Sequence, residues 1–177
     1  MARDRPDEHF LERSEIHALF RRLSSGVYVI CVADGERRDA FTAAWLMHVS
    51  YDPLLLALSI NPHHASYPIL QASGVFTVSV LKRGSMELVR QFGTMSGRDV
   101  DKLAGVGWHP APSGVPVLDE ALAYIDCVLT ATFPAGDHDL VLGRVAGGRI
   151  LDRTADPMLY AETGDTDGSS ALYPPEL

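Results

Sequence analysis

Positive charge is scarce in this sequence: 15 Lys and Arg stand against 23 Asp and Glu in 177 residues, a formal net charge of −8 at neutral pH. That balance disfavours nucleic acid as a partner, because modules that grip a phosphate backbone present a basic face. Cysteine is scarcer still. Cys31 and Cys127 each sit inside an apolar run and read as buried thiols rather than a disulfide. Met1 to Arg13 is charged and carries no apolar secretory stretch, so the expected address is cytoplasmic. No segment reaches the roughly 20 apolar residues of a spanning helix, since Phe41 to Pro62 is interrupted by Asp52-Pro53. The sequence also lacks Gly-x-x-x-x-Gly-Lys-Ser/Thr, Cys-x-x-Cys and His-Glu-x-x-His, and no repeat is visible.

What is present is an ordinary globular composition, 46% hydrophobic. A chain of this length buries roughly 70% of its unfolded surface and needs no metal or disulfide staple. Ile16, Leu19, Phe20 and Leu23 repeat at helical spacing, with Ser14 as N-cap and Gly26 beyond the end. Val27 to Val32 is a strand, and Asp34-Gly35 marks a hairpin to a second strand from about Ala40. Phe41 to Ser50 and Leu54 to Ile60 are further strands joined by Tyr51-Asp52-Pro53. Tyr67 to Ser73 is a short helix with Pro68 in its first turn and Gly74 as its stop. Val75 to Leu81 is a strand, Ser85 to Phe92 a helix, and Gly93 to Pro116 a long irregular segment. Ala121 to Phe133 and Asp139 to Leu151 complete the strands.

This pattern predicts a mainly β (α+β) domain, a small antiparallel barrel with peripheral helices over residues 14–161. A polar arm over 1–13 precedes it, and a flexible, Gly- and Asp-rich tail over 162–177 follows.

Three places carry candidate chemistry, and two more are set aside. Ala65, Ser66 and Tyr67 open the short helix, where free amides and the Ser66 hydroxyl suit a phosphate; the alternative is a plain N-cap. His138, between Asp137 and Asp139, suits a donor near an electron-rich ring or phosphate, or is a surface turn histidine. Trp45 is either a core aromatic or a flat wall for a ring system. Adjacent His63-His64 has no ligand partner at helical spacing, so no metal site is expected, and Gly143 to Gly148 lacks the helix a dinucleotide fingerprint requires.

Taken in order, several segments resemble the flavin reductase-like family with the FMN-binding split-barrel fold. They are Ser25-Gly26-Val27-Tyr28-Val29-Ile30, Phe41-Thr42-Ala43-Ala44-Trp45, Val49-Ser50-Tyr51-Asp52-Pro53-Leu54, Ser59-Ile60-Asn61-Pro62 and Ser66-Tyr67-Pro68-Ile69-Leu70. Gly74 to Leu81, Asp101-Lys102-Leu103, Gly136-Asp137-His138 and Leu142-Gly143-Arg144-Val145 follow. Ser79 stands where many relatives carry Asn, and Asp52-Pro53-Leu54 where they carry a double proline.

The resemblance implies a split barrel in which Thr42, Ala43, Ala44 and Trp45 line the isoalloxazine ring. It implies that Ser59, Asn61, His64, Ser66 and Tyr67 surround the ribityl phosphate, with Lys102 adding positive charge. His138 takes the place of the family's histidine at the nicotinamide end. The implied cofactor is FMN, with FAD as a second candidate, and NADH or NADPH is the cosubstrate. The implied activity is hydride transfer from NAD(P)H to flavin by a cytoplasmic homodimer, with a monooxygenase or other electron acceptor downstream and neither nucleic acid nor membrane as partner. A flavin- or haem-binding carrier or sensor on the same barrel is the alternative.

Overall fold

The computed structural model describes residues 11–176. The expected polar arm lies outside them as far as residue 10. Helix α1 (Arg13–Phe20) is capped by Glu12 rather than Ser14, and the Glu12 amide donates to the Glu15 carboxylate at 3.0 Å. Of its apolar face Ile16 is buried, while Leu19, Phe20 and Leu23 remain exposed.

Strand β1 (Tyr28–Asp34) turns through Gly35-Glu36 into β2 (Arg37–Ala43), with Ile30 opposite Phe41. Strand β1 is covered on both faces, which is why it reads as a continuous apolar run rather than an alternating one. Val29 and Cys31 enter one core cluster, with Phe92 and Leu118. Ile30 and Val32 enter the other, with Leu58 and Phe76.

The stretch Phe41 to Ser50, expected as one strand, is two. Strand β2 ends at Ala43, and β3 (Leu46–Tyr51) begins after Ala44-Trp45 and pairs with β4 (Leu54–Ile60) instead of β1. The Trp45 carbonyl at this break accepts the Ser59 amide at 3.0 Å. Helix α2 (Tyr67–Ser73) stops at Gly74, whose φ of 66° is the left-handed cap that glycine adopts without steric cost. Strand β5 (Val75–Val80) then leads to α3 (Met86–Thr94).

Within the segment expected to be irregular, β6 (Trp108–Pro110) and β7 (Pro116–Leu118) form a small ribbon. The long hairpin of β8 (Ala123–Ala135) and β9 (His138–Ile150) has its tip at Gly136-Asp137. On β9, Gly143 leaves room for an aromatic ring: a Cβ there would run into Phe76.

The main sheet has the antiparallel order β2-β1-β5-β8-β9-β4-β3. Its two edge strands, β2 and β3, are neighbours in the chain. Ala43 and Leu46 are three residues apart, so they lie within about 11 Å of each other. The sheet therefore curls until its edges approach without pairing, which is the split of a split barrel. Thr42 to Trp45 lie at that split. Among the described residues no helix is long and apolar enough to cross a membrane.

The segment after Glu162 packs against the body. It contains two 3₁₀ turns, Tyr160–Thr163 and Ser169–Leu172, and the first is tied down by Arg21, which donates to the carbonyls of Gly164, Tyr160 and Ala161 at 2.6, 3.1 and 2.9 Å. Tyr173 packs on Phe20, with ring centroids 5.6 Å apart.

Candidate functional site

At the split lies a cavity of about 270 Å³. One wall is Phe41 to Trp45, continued by Ser59, Asn61, His64 and His138. Helix α3 and the C-terminal segment complete it. Eight of the eleven residues expected at the site thus line one cavity: Thr42, Ala43, Ala44, Trp45, Ser59, Asn61, His64 and His138.

Trp45 is 55% exposed, which removes the core reading and leaves the wall. Its indole faces the His138 ring at 5.1 Å between centroids. His138 Nδ1 lies 2.9 Å from Asp137 Oδ1, and because a carboxylate only accepts, the proton sits on Nδ1. That N–H holds the Asp137 carboxyl below the usual carboxylate range. The small side chains of Ala43 and Ala44 leave main chain beside the cavity, where a flat ring could approach it. Thr42 turns its hydroxyl to the Val89 carbonyl of α3 at 3.2 Å, fixing this wall against the helix.

The loop after β4 adds polar groups to the lining. Asn61 Oδ1 accepts the His63 amide at 2.9 Å and shapes the loop. His64 Nδ1 accepts the Ser66 amide at 3.2 Å, which leaves Nε2–H as the ring's free donor. The ring packs on Phe41 at 4.6 Å. Burial, followed by the nearby charge of Lys102, pushes the His64 pKa down.

Ser66, Tyr67 and Lys102 do not line the cavity. Ser66 is buried and donates its hydroxyl to Asp39 Oδ2 at 2.6 Å, and its amide is already engaged by His64. The Tyr67 hydroxyl donates to Asp139, and that bond pushes its pKa up. Lys102 Nζ is fully buried 3.2 Å from Asp39 Oδ1, an ion pair that lacks hydrogen-bond alignment. Ser79 is also away from the cavity, where its hydroxyl accepts the Leu118 amide.

Sequence reasoning missed three contributors. Asp39 ties Ser66 and Lys102 together beneath the loop. Arg98 donates to the His63 carbonyl at 2.8 Å and adds a second cation that acts on His64. The C-terminal segment supplies Tyr160, Thr163, Thr166, Asp167, Ser169 and Leu172. An Asp directly before a predicted strand was the one visible signal. The other two arise from contacts remote in sequence.

An apolar wall flanked by an indole, together with polar groups beside two cations, fits an aromatic ring system that carries a phosphate. The unaligned Nζ of Lys102 adds buried positive charge near His64. Over residues 20–169 the sequence matches the family described as the flavin reductase like domain. The chain belongs to that family.

Similar proteins and solved structures extend the comparison. The chain is 36% identical over 141 residues to the high molecular weight rubredoxin of Moorella thermoacetica, covering 78% of this chain and 61% of that protein. It is 28% identical over 138 residues to a diflavin flavoprotein of Synechocystis, covering 77% of this chain and 24% of that one. The chain thus spans less than two thirds of the first and about a quarter of the second. Among solved structures, the NADH:FAD oxidoreductase SgcE6 of Streptomyces globisporus C-1027 superposes with a TM-score of 0.78 at 26% identity, covering 92% and 95% of the two chains. BorF, the flavin reductase component of a bacterial two-component tryptophan halogenase, gives 0.76 at 28% identity over 85% and 94%.

The protein is thus a flavin reductase-like chain with the split-barrel fold.

Proposed function

We propose that this chain binds FMN at the split and reduces it with a nicotinamide nucleotide, FAD being the second candidate flavin. The observation that carries the reading is the cavity itself, whose lining includes Trp45 and His138 facing each other and the cation-flanked His64. A bound flavin supplies the hydride acceptor. The chain's part is binding and orientation. Thr42 to Trp45 fix the ring plane, Ser59, Asn61 and His64 Nε2–H hold the polar tail, and Lys102 and Arg98 offset its charge. His138, held by Asp137, positions the nicotinamide nucleotide, and no side chain acts as a nucleophile. The barrel works as a cytoplasmic homodimer. Apolar side chains left exposed on β3 and α1 support that assembly.

Likeness to an NADH:FAD oxidoreductase supports the donor class, and likeness to BorF, a reductase component of a two-component halogenase, supports delivery of reduced flavin to a separate monooxygenase-type partner. A second reading, an electron carrier that hands electrons directly to a partner domain, is favoured by the larger rubredoxin and diflavin relatives, in which this module is only a part. An absorbance titration with FMN, followed by anaerobic NADH and NADPH, separates these readings. Saturable binding with bleaching near ~450 nm is the expected result. Binding that only dithionite bleaches would favour the carrier, and no binding would overturn both.

A further inference from the structure

The C-terminal segment brings a feature to the cavity that the barrel does not. Among the described residues lining it, Asp167 is the one side chain with a formal charge at neutral pH, and neither Lys nor Arg lines it. We propose that Asp167 selects the nicotinamide nucleotide by its 2′ substituent, making NADH the donor and excluding NADPH. The inference rests on the reductase reading above and specifies its cosubstrate.

Asp167 is held in place at both oxygens. Oδ2 accepts the Tyr160 hydroxyl at 2.9 Å and Oδ1 accepts the Ser169 amide at 3.1 Å. A carboxylate has about four acceptor positions, so two remain for a ligand. Those positions suit the hydroxyls of a ribose, the role an acidic side chain plays toward the 2′-hydroxyl in dinucleotide-binding folds. A 2′-phosphate offers no such donor and carries roughly −1.5 to −2 charges at neutral pH, as other phosphomonoesters do.

Among the described residues no Lys or Arg lines the cavity to take up a 2′-phosphate directly. Arg21, bound to the same segment, offsets part of its negative charge, but its N–H groups go to three backbone carbonyls and its guanidinium stands over the Tyr160 ring at 5.0 Å, off the cavity lining, so it presents no donor to a 2′-phosphate. Asp165, on the same segment, adds a second negative charge, kept ionised by hydrogen bonds from Ser170. The cavity lining thus carries its formal negative charge on the tail, while Lys102 and Arg98 act on His64 from behind the wall. Like-charge contact is the usual means of rejecting a close analogue.

The test uses the full chain loaded with FMN. Oxidised NAD⁺ and NADP⁺ are titrated against the flavin spectrum, which reads binding without turnover, and anaerobic reduction by NADH and NADPH is then followed. The protein is expected to bind NAD⁺ at least about tenfold more tightly than NADP⁺, with the gap narrowing as salt is raised. Asp167→Asn should bring the two to within about threefold, chiefly by tightening NADP⁺, while Asp167→Glu, which keeps the charge, retains the preference. Equal affinities in the unmodified chain, or a ratio unmoved by Asp167→Asn, would overturn the assignment. Reduction at equal rates by both nucleotides refutes the role of Asp167 and leaves the reductase reading standing. A bound flavin that neither nucleotide reduces refutes both.

Discussion

Ser66 gives its hydroxyl to Asp39, whose other oxygen faces the buried ammonium of Lys102 at 3.2 Å. One carboxylate therefore anchors the loop before α2 and neutralises a charge with no access to water. Breaking such a pair from one side strands the other charge, which costs about 3–5 kcal/mol. Asp39→Ala should lower the unfolding free energy by that order in denaturant titration, and the double variant Asp39→Ala, Lys102→Met should recover much of it. If the double variant were as unstable as the single, the loss would lie in packing around Asp39 and not in the stranded ammonium.

His64 predicts a second, pH-dependent effect. Its pKa is depressed by burial and by Lys102, so the unfolded chain takes up a proton at a higher pH than the folded one. Its contribution is complete above the unfolded value of about 6.5 and declines as pH falls below it, at no more than about 1.4 kcal/mol per pH unit. Protonation at Nδ1 would also remove the acceptor for the Ser66 amide. Thermal unfolding followed from pH 8 to 5 should therefore fall more steeply for the native protein than for His64→Asn. Matching slopes would mean that acid sensitivity in this range comes from other groups. The carboxyls of Asp137 and Asp165 titrate lower still, since hydrogen bonds hold both below the usual range.

Features set by local chemistry were legible. Pro68 and Gly74 bracket α2 because one lacks an amide the first turn does not need and the other adopts a left-handed cap. Asp34-Gly35 marks the first hairpin for the same kind of reason. The break at Ala44-Trp45 was not legible. No glycine or proline interrupts Phe41 to Ser50; the chain changes partner from β1 to β4 there, and the identity of a partner strand is a tertiary fact. The same limit applies at the site. Thr42 to Trp45 and His138 could be read as residues, but Asp39 taking Ser66 and Lys102 away from the cavity wall, and the tail entering it, depend on contacts between distant segments.

His138 should act on the nucleotide rather than on the flavin. Its ring faces Trp45 and its Nδ1–H is engaged by Asp137, so it is held in one orientation at the cavity edge. His138→Ala is expected to raise KM for the nicotinamide nucleotide about tenfold while changing the flavin Kd by less than about threefold. An equal rise in both would assign the ring to flavin binding.

The edge strand β3 leaves Met47 61% and Tyr51 88% exposed, beside the half-exposed Trp45. An unpaired apolar edge of this kind invites association. With a second copy covering it, the chain should run as a dimer by light scattering, and Met47→Lys should shift the mass toward the monomer with little change in the unfolding of the barrel. A monomeric native protein would remove the homodimer from the functional reading.

Arg21 joins α1 to the tail through hydrogen bonds to three carbonyls and its stacking on Tyr160, so it holds one wall of the cavity without lining it. Charge-assisted bonds of this kind at a partly exposed site are worth about 1–2 kcal/mol together. Arg21→Ala should therefore speed limited proteolysis within residues 160–176 and weaken FMN binding by about three- to tenfold. The core strands should keep their protection from hydrogen exchange, because neither core cluster contains Arg21. Faster cleavage with unchanged FMN affinity would show that the tail covers the cavity without contributing to flavin binding, and would confine its role to the nucleotide.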